Sequence, residues 1–123
     1  MKTSTLIELI EKAEIGDRRL DKKFAAAIGW QSHYGYQDNP NTGQRETIVV
    51  WIDPKTGFES RIPQYTTSLE DSKEAAEAVF SQEAVAVSWG KGNATAAFSD
   101  AKVRATAATP ALALCSAILR AMG

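Results

Sequence analysis

The sequence predicts a single α+β domain over residues 1–123, with an antiparallel sheet sandwiched by helices in the order αα-ββ-α-ββ-α. Two helix-start signals carry much of this prediction, because they enclose a pair of strand-like segments. Thr67 and Glu70 form a capping box, and Pro110 after Thr109 marks a first helical turn. With 123 residues, the chain is long enough to bury one core without disulfides or metal and too short for two.

The first two helices are predicted from caps and apolar spacing. Thr5 with Glu8 forms a capping box, and apolar residues follow at helical spacing as far as Gly16. Asp17 is the expected N-cap of a second helix, which Gly29 ends. The apolar residues of this second helix recur on one face, so that face is expected in the core.

The middle of the chain is predicted to hold a loop, a hairpin and a helix. Residues 30–44 begin like a strand but become rich in Asn, Pro and Gly, so we expect a mobile loop. A hairpin is predicted to pair residues 47–52 with 58–62 across the turn 53–57. A third helix is expected over residues 68–80, with an acidic outer face.

The last third is predicted to hold a second hairpin and a final helix. Residues 84–89 should pair with 94–98 across the turn 90–93. The helix over 110–122 is apolar around most of its circumference, so it is either covered by a sheet and other helices or used for self-association. The alanine-rich segment 101–108 is compatible with a loop or a strand.

Composition excludes several classes of function. The 14 Lys and Arg against 15 Asp and Glu give a net charge of −1, which lacks the basic field that bulk DNA or RNA binding requires. No apolar run approaches the roughly 20 residues that span a bilayer. One cysteine cannot form an internal disulfide, and the first residues do not resemble a signal-peptide core. We therefore expect a cytoplasmic protein without membrane contact.

The sequence offers no candidate residues for catalysis or metal binding. One histidine, His33, and one cysteine, Cys115, are too few for a zinc or iron site. His33 is interpreted as a partly exposed loop or strand residue, and Cys115 as a small core hydrophobe. The glycines of residues 90–93 fit a hairpin turn better than a phosphate loop. The sequence thus predicts no enzyme, no cofactor and no metal.

What remains is a binding surface of aromatic rings and guanidinium groups, which can stack on bases and hold phosphates. The residues concerned are Trp30, Tyr34, Tyr36, Trp51, Tyr65, Trp89, Arg45, Arg61 and Arg104. Trp51, Trp89 and Phe80, each taken alone, are expected in the core. A site at a chain edge or a dimer seam would use the others.

Three segments, residues 6–30, 63–69 and 109–119, resemble the phage ABA-sandwich family of small phage and prophage proteins. That family is similar to Thoeris anti-defence proteins, which act as sponges for cyclic ADP-ribose-type signals and, in some members, cyclic oligonucleotides. The resemblance implies sequestration without catalysis. It also implies a symmetric oligomer, a dimer or higher, that holds the nucleotide near subunit seams between an aromatic ring and Asn and Arg side chains.

Phe80, Asn93 and Arg104 are of the types that the resemblance implies, with Arg61 as a second phosphate ligand and Tyr65 as a second ring. The leading hypothesis is a phage or prophage counter-defence protein that sequesters a cyclic nucleotide-type immune signal in the infected host. One alternative is an inhibitor that docks on a host defence or CRISPR effector through the acidic residues 70–77. Another is a phage accessory domain with a structural role.

Overall fold

The computed structural model describes residues 2–81, 84–98 and 102–123. The elements are α1 (Thr3–Lys12), α2 (Arg18–Ala27), β1 (Gln31–Asp38), β2 (Arg45–Ile52), α3 (Leu69–Val79), β3 (Val85–Trp89), β4 (Ala94–Phe98), β5 (Val103–Ala107) and α4 (Pro110–Met122). β1 and β2 form a two-stranded antiparallel sheet, and β3, β4 and β5 form a three-stranded one in that order. The α+β prediction is confirmed: in the part of the chain that the structure describes, four helices and two small antiparallel sheets make one small domain.

The core is centred on α4. All nine residues from 111 to 119 are buried, so this helix is covered around its whole circumference. It contacts all three strands of the larger sheet, and it also contacts α1 and α3. Burial of its apolar side chains contributes to the hydrophobic driving force of folding. Of the two expectations for this helix, coverage by a sheet and helices is confirmed.

The larger sheet turns one face of small residues and one ring towards α4. Along β4, Ala94, Ala96 and Phe98 are buried and alternate with less buried residues, as expected for a strand with one covered face. The Phe98 ring lies 5.3 Å from that of Phe80, at the C-terminal end of α3. The predicted hairpin of β3 and β4 is confirmed. Its extension by β5 resolves the segment 101–108, of which Ala101 lies outside the described residues, as a strand.

Two helix starts follow their predicted caps. The Thr109 side chain accepts a hydrogen bond from the amide of Leu112 at 3.3 Å, with Pro110 as the first helical residue. The Asp17 side chain accepts from the amide of Leu20 at 2.8 Å. In both helices the cap needs only residues within one turn, so the sequence signal is sufficient.

Both predicted capping boxes, at the starts of α1 and α3, are wrong. α3 is capped one residue later than predicted, by Ser68, whose hydroxyl accepts from the amide of Asp71 at 3.2 Å. The Thr67 amide instead closes a turn by donating to the carbonyl of Gln64 at 3.2 Å. α1 starts at Thr3, after Lys2, without a side-chain cap, so Thr5 lies inside the helix.

The first predicted hairpin has the wrong partner strand. β2 pairs along its length with β1, within the segment predicted as a mobile loop, in a register that joins Tyr34 to Val49. The predicted turn 53–57 does form, closed by the amide of Gly57 on the carbonyl of Asp53 at 2.8 Å. Beyond it, residues 58–60 meet β2 at the base of the predicted hairpin, where the amide of Ser60 donates to the carbonyl of Trp51 at 2.9 Å. Ile62 is buried in the core and 4% exposed.

No helix in the described part of the chain combines the length and the apolar character needed to cross a membrane.

Candidate functional site

Two clefts of opposite charge flank the segment that follows β2. The first, here called the basic cleft, has a volume of about 510 Å³ and lies between α2, β2 and residues 59–62. It is lined by three cationic side chains, those of Arg18, Lys22 and Arg61, against the single carboxylate of Glu59. Trp51, half-buried, also lines it. Positive charge beside an indole suits an anion that carries a flat ring.

The second, here called the acidic cleft, has a volume of about 610 Å³ and lies between residues 53–55, α3 and the Trp30 ring. Its lining includes the carboxylates of Asp53, Glu74 and Glu77 and the cation of Lys55. This excess of negative charge repels phosphate groups. A nucleotide therefore fits the basic cleft better than the acidic one.

The start of α2 builds one wall of the basic cleft. Because Asp17 caps this helix, Arg18 is its first residue, and Lys22 follows one turn later on the same side. The Arg18 guanidinium donates to the Asp21 carboxylate at 2.8 Å, to the carbonyl of Ile62 at 2.8 Å and to that of Pro63 at 3.2 Å. These bonds fasten residues 62–63 to α2 and set the width of the cleft.

Hydrogen bonds of Asp17 and Asp21 with Thr66, buried or partly buried, also hold α2 against residues 62–66. Asp21 is fully buried and accepts from the amide of Thr66 at 2.8 Å and from its hydroxyl at 2.5 Å, besides its ion pair with Arg18. The Asp17 amide donates to the Thr66 hydroxyl oxygen at 3.1 Å. At Gly16 the two segments of the backbone are in contact, because a Cβ added there would overlap the Thr66 carbonyl. The turn between α1 and α2 is therefore docked tightly on residues 62–66.

The five residues proposed from sequence lie in separate places. Arg61 is exposed in the basic cleft, whereas Tyr65 is buried and lines the acidic cleft. Phe80 is half-buried against the Phe98 ring. Asn93 is exposed in the turn between β3 and β4, and Arg104 is exposed on β5 opposite Ala97. Neither cleft brings two of the five together.

Sequence reasoning named Trp51 as a ring of a binding surface, although taken alone it was expected in the core; it is half-buried and packs against the core. It missed Arg18 and Lys22, which line the basic cleft and were not named as candidates. The spacing of these two cations by one turn, directly after an N-cap, was the available signal. Trp89, also expected in the core, is 65% exposed at the end of an edge strand, so that prediction was wrong.

The chain matches no protein-family model, no curated protein and no solved structure. The resemblance carried by residues 6–30, 63–69 and 109–119 therefore stays a prediction.

The histidine and the cysteine lie apart from the basic cleft. His33 is exposed on β1, as the sequence interpretation allowed. Cys115 is fully buried in α4, which confirms its interpretation as a core residue, and its thiol donates to the carbonyl of Tyr65 at 3.2 Å. Burial, with a smaller effect of the Asp21 charge, raises the pKa of Cys115 well above its ordinary value. The thiol is therefore protonated and unreactive in the folded protein.

Within residues 2–81, 84–98 and 102–123, no three His, Cys, Asp or Glu side chains gather as metal ligands would.

Tyr65 makes the fold sensitive to alkali. Burial raises the pKa of Tyr65 from 10.0 to about 12, although the bond that its oxygen accepts from the Trp30 indole at 3.0 Å acts in the opposite direction. As the pH rises, Tyr65 therefore loses its proton at a lower pH in the unfolded chain than in the folded protein. Consequently, the contribution of this group to the free energy of unfolding is fully present below about pH 10 and is lost as the pH rises to about 12.

Urea unfolding at a series of pH values above 8 measures this loss. Tyr65→Phe should make the decline between about pH 10 and 12 shallower, because the ionisable group is gone. Tyr34→Phe is the matched control, since Tyr34 is 81% exposed, and it should leave the slope unchanged. Equal slopes in the wild type and Tyr65→Phe would contradict the prediction.

Proposed function

We propose that the protein is a phage or prophage counter-defence protein that binds and sequesters a cyclic nucleotide-type immune signal, without catalysis, in the basic cleft. The observation that carries this proposal is that Arg61, Lys22 and Trp51 line one cleft of about 510 Å³. That volume lies within the range of small-molecule sites, about 300–1,000 Å³.

The chemistry of the cleft suits a cyclic ADP-ribose isomer or a cyclic oligonucleotide. The indole of Trp51 offers an apolar surface on which a base can stack, typically worth about 1–3 kcal/mol. Among the described residues, Lys22 and Arg61 form no ion pair, so their charges are free to meet phosphates. Base stacking together with phosphate neutralisation distinguishes a nucleotide from a simple anion.

Binding without turnover also agrees with the side chains that line the cleft. They include no histidine or cysteine, and the Ser60 hydroxyl faces the carbonyl of Arg61 at 3.5 Å rather than a general base. The ligand would leave the cleft unchanged. In the cytoplasm of an infected bacterium, such a protein lowers the free concentration of the signal in proportion to its own abundance, as a dimer or higher oligomer.

A second candidate is a protein-directed inhibitor of a host defence effector, which the acidic cleft favours. Asp53, Glu74 and Glu77 line it, and none of them forms an ion pair within the described part of the chain. A basic segment of an effector would match this charge. The two candidates separate readily, because a sponge binds its ligand alone in solution and an inhibitor co-elutes with its target.

Arg61→Ala should weaken binding at least tenfold, because a hydrogen bond to a charged group contributes about 1.5–3 kcal/mol. The measurement is isothermal titration against cyclic ADP-ribose isomers and cyclic di- and trinucleotides. Recovery of intact ligand after heating the complex tests the absence of turnover. Arg104→Ala is the control, as Arg104 is equally exposed but lies on β5.

Loss of binding in Arg104→Ala with full binding in Arg61→Ala would move the site to the outer face of the three-stranded sheet. No binding by the wild type to any ligand of the panel would overturn the sponge, and co-elution with host proteins would then test the inhibitor.

A further inference from the structure

The Arg18 guanidinium is held by three acceptors that use only part of its donors. Nη1 donates to Asp21 Oδ2 at 2.8 Å and to the carbonyl of Pro63 at 3.2 Å, and Nη2 donates to the carbonyl of Ile62 at 2.8 Å. A guanidinium carries five N–H donors in a planar fork. Within the described residues, Nε–H and one Nη2–H therefore remain without an acceptor.

A guanidinium can meet two oxygens of a phosphate or carboxylate at once through Nε–H and an Nη2–H. The Arg18 side chain is 40% exposed and lines the basic cleft, so part of it can be reached from solvent. An exposed arginine ordinarily loses rotamer freedom when it is ordered. The bonds to Asp21, Ile62 and Pro63 have already imposed most of that order on Arg18.

The three cations of the cleft differ in whether their charge is compensated and in how firmly the side chain is held. The Arg18 charge is compensated by the buried carboxylate of Asp21, so the attraction for an anion comes mainly from Lys22 and Arg61. These two side chains are exposed and, within the described residues, form no ion pair, so they attract an anion without fixing its orientation. Arg18 supplies the fixed pair of donors that the other two lack.

We propose that Arg18 orients the ligand of the basic cleft, and that the group it binds is a phosphate or pyrophosphate held through Nε–H and Nη2–H. This inference rests on the proposed function for the location of the site, but it requires only a phosphate group, not a cyclic nucleotide. Planar bidentate recognition distinguishes a phosphate from a spherical anion of equal charge.

The test follows the Nε–Hε resonance of Arg18 by NMR in the ¹⁵N-labelled wild-type protein during titration with inorganic pyrophosphate. Loss of one peak in Arg18→Lys assigns it. We expect the peak to move downfield and its exchange with water to slow, while chloride at equal ionic strength leaves it in place. The wild-type spectrum keeps the test valid even if Arg18→Lys weakens the fold.

Affinity gives a second readout. Arg18→Lys keeps the charge but loses the fork, so pyrophosphate should bind at least fivefold more weakly if one charge-assisted hydrogen bond is lost. Arg19→Lys is the matched control, because Arg19 is exposed on the same turn but does not line the cleft. Circular dichroism establishes that each variant is folded.

The outcomes separate the two proposals. A shifted Arg18 resonance without binding of any cyclic nucleotide supports the phosphate site and overturns the sponge. Binding of a cyclic nucleotide with an unmoved Arg18 resonance, and with equal affinity in Arg18→Lys, supports the sponge and overturns the role of Arg18. An unmoved resonance with no binding overturns both.

Discussion

Asp21→Ala is expected to lower the free energy of unfolding by about 3–5 kcal/mol, the usual cost of removing one partner of a buried ion pair. Asp21 is fully buried, and its carboxylate accepts from the Arg18 guanidinium and from the amide and hydroxyl of Thr66. Without it, the Thr66 amide loses its acceptor and the Arg18 charge its counter-ion. For a domain with about 5–15 kcal/mol in total, much of the folded population would be lost.

Chemical denaturation with a fitted m-value measures the change. Asp17→Ala is the matched control, because it removes a carboxylate of the same helix that is exposed and serves as the N-cap. We expect that control to cost only about 1 kcal/mol. If the two substitutions cost the same, the junction of Asp21 with Thr66 and Arg18 would contribute nothing beyond helix capping.

Gly16→Ala is expected to cost at least about 3 kcal/mol, at the upper end of the overpacking range. The reason is contact rather than backbone conformation, since a Cβ at residue 16 would overlap the Thr66 carbonyl and lie 2.6 Å from Thr66 Oγ1. Backbone cannot swing away as the end of a side chain can. To admit the methyl group, residues 62–66 must move off the turn between α1 and α2, which also breaks the bonds of Thr66 to Asp17 and Asp21.

Thermal unfolding together with amide exchange at Thr66 tests this expectation. Gly90→Ala is the control, because a Cβ there meets nothing within 4 Å. We expect its effect to stay within about 0.5 kcal/mol. Unchanged protection of the Thr66 amide in Gly16→Ala would mean that the two segments are not in contact in solution.

Local sequence signals predicted the helices, but they gave the wrong partner strand for the first hairpin. Thr109 and Asp17 cap their helices through bonds within one turn, which a sequence displays directly. β2, by contrast, is flanked by turn-forming residues on both sides, so local chemistry favours two partners equally. In the structure β1 pairs with β2 along its length, while Ile62 is buried in the core, a position that is not visible in the sequence.

The sequence predicted the residue types of the candidate site better than their positions in the fold. Arg61 was named as a phosphate ligand and lies in the basic cleft. The cleft exists because Arg18 is bonded to carbonyls 44 and 45 residues away, and no periodicity encodes such a contact. Trp51, taken alone, was expected in the core; it packs against the core but is only half-buried, and it also lines the basic cleft.

The position of α4 has a consequence for synthesis. α1, α3 and the three-stranded sheet each pack on this helix, which spans residues 110–122. Until that segment has left the ribosome, the apolar faces made earlier have no surface to cover them. Exposed apolar surface of this kind favours aggregation and chaperone binding. We therefore expect a nascent chain stalled before residue 110 to be bound by chaperones and cleaved readily by protease, and to become resistant in a single step once α4 emerges.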